Sequence, residues 1–291
     1  MCSSDLLQLI RFEQYIKNLF IFAPLFFSGA FLEPPKLIAV TFSFFCFCIA
    51  ASSIYILNDY FDVSQDQLHP EKSKRPIAAG SISSKKALLL MVLLMLISLS
   101  SSYWANLRLF EIIVFYIILN VLYSKWLKHI AILDLNLIAI GFVLRLFAGA
   151  TISDTLPSVW IILITYLLAL FLAIAKRRTD VILAHHGKQV RKNIAGYNLI
   201  FIDITLGILS SILIVCYIFY CIAPENQMHY NSKLLYVSII LVMNGILRYL
   251  KLSLVDQITY SPTKIVLKDR FIQITIILWS LLMGYLLYIK H

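Results

Sequence analysis

Charge is what this chain has least of: 14% of its 291 residues are Asp, Glu, Lys or Arg, against 60% hydrophobic residues. With a mean hydropathy of +0.86, that scarcity excludes an ordinary soluble domain, where about a quarter of residues are charged. Acidic residues are scarcer still, 15 against 25 Lys and Arg. Of the five cysteines, Cys46, Cys48, Cys216 and Cys221 lie in apolar runs and Cys2 is terminal, which gives neither a metal-ligand nor a disulfide spacing. No Ser/His or Cys/His pair stands out as an activated nucleophile. The N-terminus lacks a basic region, a short apolar core and a small-residue cleavage site in that order, so no removable signal peptide is expected.

Long apolar runs are what the chain has in quantity. Crossing roughly 30 Å of hydrocarbon takes about 20 residues in a helix. Nine runs approach that length: 15–32, 37–57, 87–104, 109–124, 131–152, 158–175, 199–222, 232–250 and 271–289. The expected object is an all-α integral membrane protein with nine spans. If the N-terminus is cytoplasmic, 20 of the 25 basic residues fall in inside segments and four outside, with Arg145 alone in mid-run. That asymmetry obeys the positive-inside rule. The net charge of +10 is then a product of topology and calls for no nucleic acid partner.

The chemistry is concentrated between Asn58 and Ser81, NDYFDVSQDQLHPEKSKRPIAAGS. Asn58, Asp62 and Asp66 recur every four residues and Asp59 precedes Asp62 by three, so a continuing helix carries all four on one face. Several hard oxygens on one face suit Mg²⁺, which fills its remaining positions with water and substrate phosphate. Asn58, Asp59, Asp62 and Asp66 are therefore the candidate metal ligands, as against a solvated acidic helix end. His69, Lys72, Lys74 and Arg75 follow, able to face phosphate oxygens, and Pro70 and Pro76 end the helix.

Other candidates flank this stretch. In RFEQYIKN, Arg11, Gln14, Lys17 and Asn18 share a side of an α-helix and are read either as an interfacial collar or as phosphate donors. Tyr123, Lys128 and Asp134 surround the start of the fifth span, and a carboxylate there tends to face a cavity. Arg145 lies three turns beyond Asp134 on the same face. Asp203, inside the seventh span, is expected to be paired within the bundle. At the end of the sixth span stand Lys176, Arg177, Arg178 and Asp180, followed by Arg191 in a basic loop.

NDYFDVSQD resembles the first aspartate-rich motif, N-D-x-x-D-x-x-x-D, of the UbiA superfamily of intramembrane prenyltransferases, whose fold is a bundle of nine transmembrane helices. Ordinary members carry a second aspartate-rich motif at the end of the sixth span. Here Lys176, Arg177 and Arg178 stand with one carboxylate, Asp180, similar to the K-R-x-x-E pattern of the decaprenyl-phosphate phosphoribosyltransferase branch. VRKNIAGY, Arg248-Tyr249, PTKIVLKDR and RFEQYIKN (similar to R-P-x-Q-W-x-K-N) resemble the same branch. Phe12 and Tyr15 depart from its Pro and Trp, and Asp180 is one methylene shorter than its Glu.

The resemblance implies one UbiA-like domain over 1–291, in a bacterial plasma membrane, with active-site loops at about 58–86, 124–131, 176–198 and 251–270 facing the cytoplasm. It implies transfer of 5-phosphoribose from 5-phosphoribosyl 1-diphosphate (PRPP) to a decaprenyl- or undecaprenyl-type phosphate, with Mg²⁺, or Mn²⁺ in its place. The product is a lipid-linked arabinose precursor of envelope glycans. Asp59, Asp62, Asp66, Lys72 and Arg75 are then catalytic. Arg11, Gln14, Lys17, Asn18, Asn58, His69, Tyr123, Lys128, Asp134, Lys176, Arg177, Asp180 and Arg191 bind substrate. A conventional prenyltransferase acting on an aromatic acceptor should carry carboxylates where Lys176 and Arg177 stand, and a lipid-phosphate carrier leaves the acidic motif unexplained. A homo-oligomer is compatible with the sequence, which specifies none.

Overall fold

The structure, a computed structural model, describes residues 3–68, 72–185, 196–230, 234–258, 260 and 262–289. It contains no strand among the described residues. The chain divides into two compact units, Met1–Pro157 and Ser158–His291.

The first unit begins with α1 (Ser3–Ile10), a 3-10 helix over Phe12–Phe22 and α2 (Ala23–Phe27). The long α3 (Pro34–Phe61) follows, started by Pro34 and Pro35, whose fixed φ and absent N–H suit a helix's first turn. Beyond it come α4 (Val63–Gln67), a 3-10 turn at Lys72–Lys74, α5 (Ser84–Ala105), α6 (Leu107–Lys125) and α7 (Leu133–Ser153). Asn106 starts α6 by accepting the N–H groups of Arg108 and Leu109, which would otherwise lack partners in the first turn. Helix α3 is the hub, packed against α5, α6, α7 and the 3-10 segment. Its small residues Ala50, Ala51, Ser52 and Ser53 are all buried and permit that close approach. Hydroxyls tie its neighbours on: Ser98 donates to the Cys46 carbonyl at 2.8 Å and Ser43 to the Ala148 carbonyl at 3.4 Å.

The second unit contains α8 (Val159–His185), α9 (Leu199–Ile222), α10 (Pro224–Tyr230), α11 (Leu235–Leu250), α12 (Pro262–Lys268) and α13 (Arg270–Tyr288). Helix α8 packs on α9, α9 on α11, and α11 on α13. A π-helical turn, Lys251–Val255, extends α11. Asn198 and Asp269 cap α9 and α13 through Phe201 N–H and Ile272 N–H.

Among the described residues, eight helices are long and apolar enough to cross a membrane, and they coincide with the second to ninth apolar runs. The first run, 15–32, is built differently. Its 11-residue 3-10 helix is far longer than the three or four residues usual for that winding, and Gly29 at φ +77° turns the chain after α2. Burial along it repeats every three residues: Glu13, Ile16 and Leu19 are exposed, while Asn18 and Ile21 are enclosed and Tyr15 half-buried. The α-helical reading placed Asn18 with Gln14 and Lys17. Three residues per turn instead stack Gln14 over Lys17 and turn Asn18 inward with Tyr15. At Gly149, an added Cβ would lie 1.8 Å from the Ile21 carbonyl oxygen, so α7 approaches the segment's backbone more closely than any side chain allows.

Candidate active site

Helix α3 carries Asn58 and Asp59 on its last turn, and α4 carries Asp66. Between them Asp62, at φ −96° and ψ 4°, interrupts the regular geometry. Backbone hydrogen bonds nonetheless run through it, from Asp62 N–H to the Asn58 carbonyl and from Asp66 N–H to the Asp62 carbonyl, at 3.0 and 2.8 Å. The expected shared face is thereby kept but split into two sets. Arg75 Nη1 stands between Asp59 Oδ1 and Asp66 Oδ2, 3.0 and 2.6 Å away. Asp62 turns to the Asn58 amide at 3.2 Å and to Lys128.

Each carboxylate therefore meets a cation from elsewhere in the chain. Arg11, in the left-handed conformation at φ 52° where α1 gives way to the 3-10 helix, pairs with Asp59. Its guanidinium also lies 5.1 Å from the Tyr55 ring centroid. Arg75 comes from the turn after Lys72–Lys74, and Lys128 from the short connection between α6 and α7. Asp59 and Asp66 are almost fully buried, each 2% exposed, and buried carboxylates need such partners.

Arg75 shows what the donor set accommodates. One cationic nitrogen is held by two carboxylate oxygens, and a small divalent ion in its place would have the same hard ligands and take its remaining positions from water and phosphate oxygens. The residues fit such an ion, with Asp59 and Asp66 as its nearest donors. No three His, Cys, Asp or Glu among the described residues converge on one metal position, so Asn58 and Asp62 stand beside the pair.

The remaining candidates of the first unit fall at different depths. Gln14, Lys17, Lys72 and Tyr123 are half-buried, and Asp134 is fully enclosed near the start of α7. Asn18 is 1% exposed; its Oδ1 accepts from Arg145 Nε at 2.7 Å and its Nδ2 donates to Cys48 Sγ at 3.0 Å. Its polar atoms are engaged within the fold. His69 and Arg191 lie outside the described residues.

In the second unit, α8 continues past its apolar run and carries Lys176, Arg177, Arg178 and Asp180 on its last turns. Lys176 is exposed, while Arg177 is buried and pairs with Asp180 at 3.2 Å. Arg178 is buried too, with Nε 2.7 Å from Asp203 Oδ1, and its Nη1 donates to the Ser253 carbonyl in the π turn. Asp203 thus has the expected intramembrane partner. Arg178 joins α8, α9 and the end of α11, a role that adjacency in KRR does not reveal.

Arg248 and Asp269, which belong to separate motifs in the sequence, form a two-pronged pair, with Nη2 to Oδ2 at 2.8 Å and Nε to Oδ2 at 3.2 Å. The Arg248 hydrogen bond holds the Asp269 carboxyl below its ordinary range, against a smaller opposing effect of burial. The appositions of Arg11 with Asp59, Arg75 with Asp59 and Asp66, Lys128 with Asp62 and Arg248 with Asp269 are not legible in the sequence. No signal short of tertiary contact joins residues so far apart.

Eight long apolar helices with charged residues gathered at their ends define a multi-pass integral membrane protein. The UbiA prenyltransferase family matches residues 19–261; the chain belongs to that family and is a transferase. It is 32% identical over 296 residues to a decaprenyl-phosphate phosphoribosyltransferase of Mycolicibacterium smegmatis, covering 98% of this chain and 93% of that protein. A protein of the same name from Mycobacterium tuberculosis is 28% identical over 280 residues, covering 94% of this chain and 91% of its own length. Among solved structures, a UbiA homolog from Archaeoglobus fulgidus bound to DMAPP and Mg²⁺ matches with a TM-score of 0.70 and 18% identity, over 97% of this chain and 98% of that one. The fold is therefore of UbiA type.

Proposed function

We propose that the protein transfers 5-phosphoribose from PRPP to a decaprenyl- or undecaprenyl-type phosphate, releasing diphosphate and forming a lipid-linked arabinose precursor of envelope glycans. The observation that carries this reading is the cationic end of α8, where Lys176 and Arg177 replace the carboxylates that a prenyl diphosphate would require. The names of relatives aligned over nearly the whole chain support it. One catalytic domain over 1–291 is proposed, and the family match running from 19 to 261 through both units supports it.

In the transfer, the bond from the ribose anomeric carbon to diphosphate breaks and a lipid phosphate oxygen bonds to that carbon. Diphosphate leaves with the electron pair. The lipid oxygen is already anionic, so no general base is needed, in keeping with the lack of a Ser/His or Cys/His pair. Asp59 and Asp66, with Asn58 and Asp62 alongside, would hold Mg²⁺ or Mn²⁺, which would supply Lewis-acid neutralisation of the leaving group. Arg75, Lys72, Lys128 and Arg11 orient the diphosphate and offset its developing charge. Gln14, Lys17, Lys176, Arg177 and Asp180 serve the other phosphates and the ribose, and Tyr123 and Asp134 border the donor.

We also propose nine crossings, with the N-terminus and the charged loops on the cytoplasmic side of a bacterial plasma membrane. The first run supports the ninth crossing despite its shortness. A 3-10 helix rises about 2.0 Å per residue against about 1.5 Å in an α-helix. Phe12–Phe22 and α2 together thus reach about 30 Å, a hydrocarbon thickness.

The test is turnover with radiolabelled PRPP, a polyprenyl phosphate and Mg²⁺, following label into the organic phase. Metal-dependent lipid label is expected and is lost with a chelator. Transfer from a prenyl diphosphate to an aromatic acceptor, with none from PRPP, would overturn the proposal.

A further inference from the structure

Arg145 is a buried cation that pairs with no carboxylate among the described residues. It sits midway along the apolar α7 and is 5% exposed. Its Nε donates to Asn18 Oδ1 at 2.7 Å, Nη1 to the Gly141 carbonyl at 2.7 Å and Nη2 to the Tyr116 hydroxyl at 3.2 Å. The guanidinium carbon lies 5.0, 5.1 and 5.3 Å from the ring centroids of Phe47, Tyr116 and Phe142. Every one of these partners is neutral, and no described carboxylate pairs with it. Such a residue is expensive inside a membrane bundle, and an apolar side chain would fill the space without that cost. Asp at position 18 would supply a counter-charge with nearly the same shape, yet the chain has Asn.

The 3-10 segment supplies a reason. An α-helix built from the same residues would turn each i, i+3 pair roughly 60° out of line and shorten the segment, so something must hold the less favourable winding over 11 residues. Three ties do so, all on the face that repeats every three. The Tyr15 hydroxyl meets Ser52 Oγ at 2.9 Å, the Ile21 carbonyl nests on Gly149, and between them Asn18 is gripped by Arg145. The middle tie alone is charge-assisted, and hydrogen bonds of that kind are about twice as strong as neutral ones.

We propose that Arg145 is a positioning residue that, through Asn18, imposes the three-residue register on Phe12–Phe22. This register keeps Gln14 and Lys17 in line and delivers Arg11 to Asp59. The functional half of this inference rests on the phosphoribosyl-transfer reading, in which Arg11, Gln14 and Lys17 serve phosphate groups. Arg145 itself touches no substrate. Its guanidinium is needed for its fork of donors, so lysine, with the same charge and no fork, does not replace it.

The experiment reads the register directly. Single nitroxide labels are placed at positions 12 to 14, 16, 17, 19 and 20 of the full chain, leaving Tyr15 and Asn18 in place, in a background with the five native cysteines replaced by serine, and oxygen accessibility is recorded in lipid. The parent should show maxima three residues apart, at 13, 16 and 19. Arg145→Lys and Asn18→Ala should shift the repeat towards 3.6, and Asn18→Asp, which keeps an acceptor for Nε, should retain three. In unlabelled protein the first two changes should raise KM for PRPP or the lipid phosphate on the order of tenfold, with a smaller change in kcat. Asn18→Ala leaves the cation in place and serves if Arg145→Lys fails to fold. A three-residue repeat that survives both changes overturns the inference. A shifted repeat in a protein that transfers no phosphoribose upholds the register and removes only the functional reading on which its consequence rests.

Discussion

The ends of α3 and α8 solve the same problem with opposite signs. At the end of α3 that helix, its cap and the short α4 supply the acids, Asp59, Asp62 and Asp66, and the bases Arg11, Arg75 and Lys128 arrive from connections elsewhere in the first unit. At the end of α8 the helix supplies the bases, and Arg177 and Arg178 are answered by one acid from α8 itself and one from α9. Both ends extend apolar spans by a few polar turns, and both bury most of the charge they carry. The difference lies in what each can exchange. A cluster of carboxylates covered by cations can trade them for a metal-bound anion, whereas a cluster of arginines can take an anion directly.

The comparison breaks most completely at Asp62. Asp62→Asn leaves the shape of α3 intact but removes the charge that holds Lys128, and phosphoribosyl transfer should fall at least about a thousandfold. The residual turnover should need more Mg²⁺ than the parent's, while Cys46→Ala, buried on the same helix, should cost stability with little loss of rate. Equal, mild effects from both would deny the acidic end its role. At the other end, Arg177→Ala should raise KM for one phosphate substrate roughly ten- to a hundredfold, measured with each substrate varied in turn. An unchanged pair of KM values would leave α8 without a binding function.

Arg178→Met sharpens the contrast between neighbours. Arg178 is committed to Asp203 and the Ser253 carbonyl, so the change should lower unfolding stability by roughly 2–3 kcal/mol, less than a fully buried pair because Asp203 is partly exposed. Thermal shift in detergent reads this, and KM should move far less than for Arg177→Ala. The smallest expected effect is at Asp269. Its carboxyl is held below the ordinary value by Arg248, so the pair's contribution is complete above the ordinary carboxylate range and fades as pH falls through the lowered value. Asp269→Asn, which retains an α13 cap, should flatten that acid dependence by under about 1 kcal/mol; a slope identical to the parent's would show that Asp269 is not its source.

Much of this was legible in the chain. Eight apolar runs became eight long helices because hydrocarbon and hydrogen-bond satisfaction leave a long apolar segment little alternative. The acidic motif announced itself because carboxylates are rare here and their spacing is helical. Asn18 was misplaced for a physical reason: spacing was converted to a face with 3.6 residues per turn, and the winding of Phe12–Phe22 depends on Arg145, Ser52 and Gly149, all distant in sequence. Arg177 and Arg178 look equivalent in a row of letters. Only the helix's rotation, about 100° per residue, sends the second to Asp203.

In the proposed ninth crossing, the 3-10 segment also makes bilayer thickness a structural variable. In an α-helical crossing, thickness is met by tilting, which leaves the side chains' order around the axis unchanged. In Phe12–Phe22 length and register are one quantity: rewinding the 11 residues to α would shorten the segment by about 5 Å and turn Asn18 away from Arg145. A membrane a few ångströms thinner therefore presses on the alignment of Gln14 and Lys17 as well as on the position of the helix.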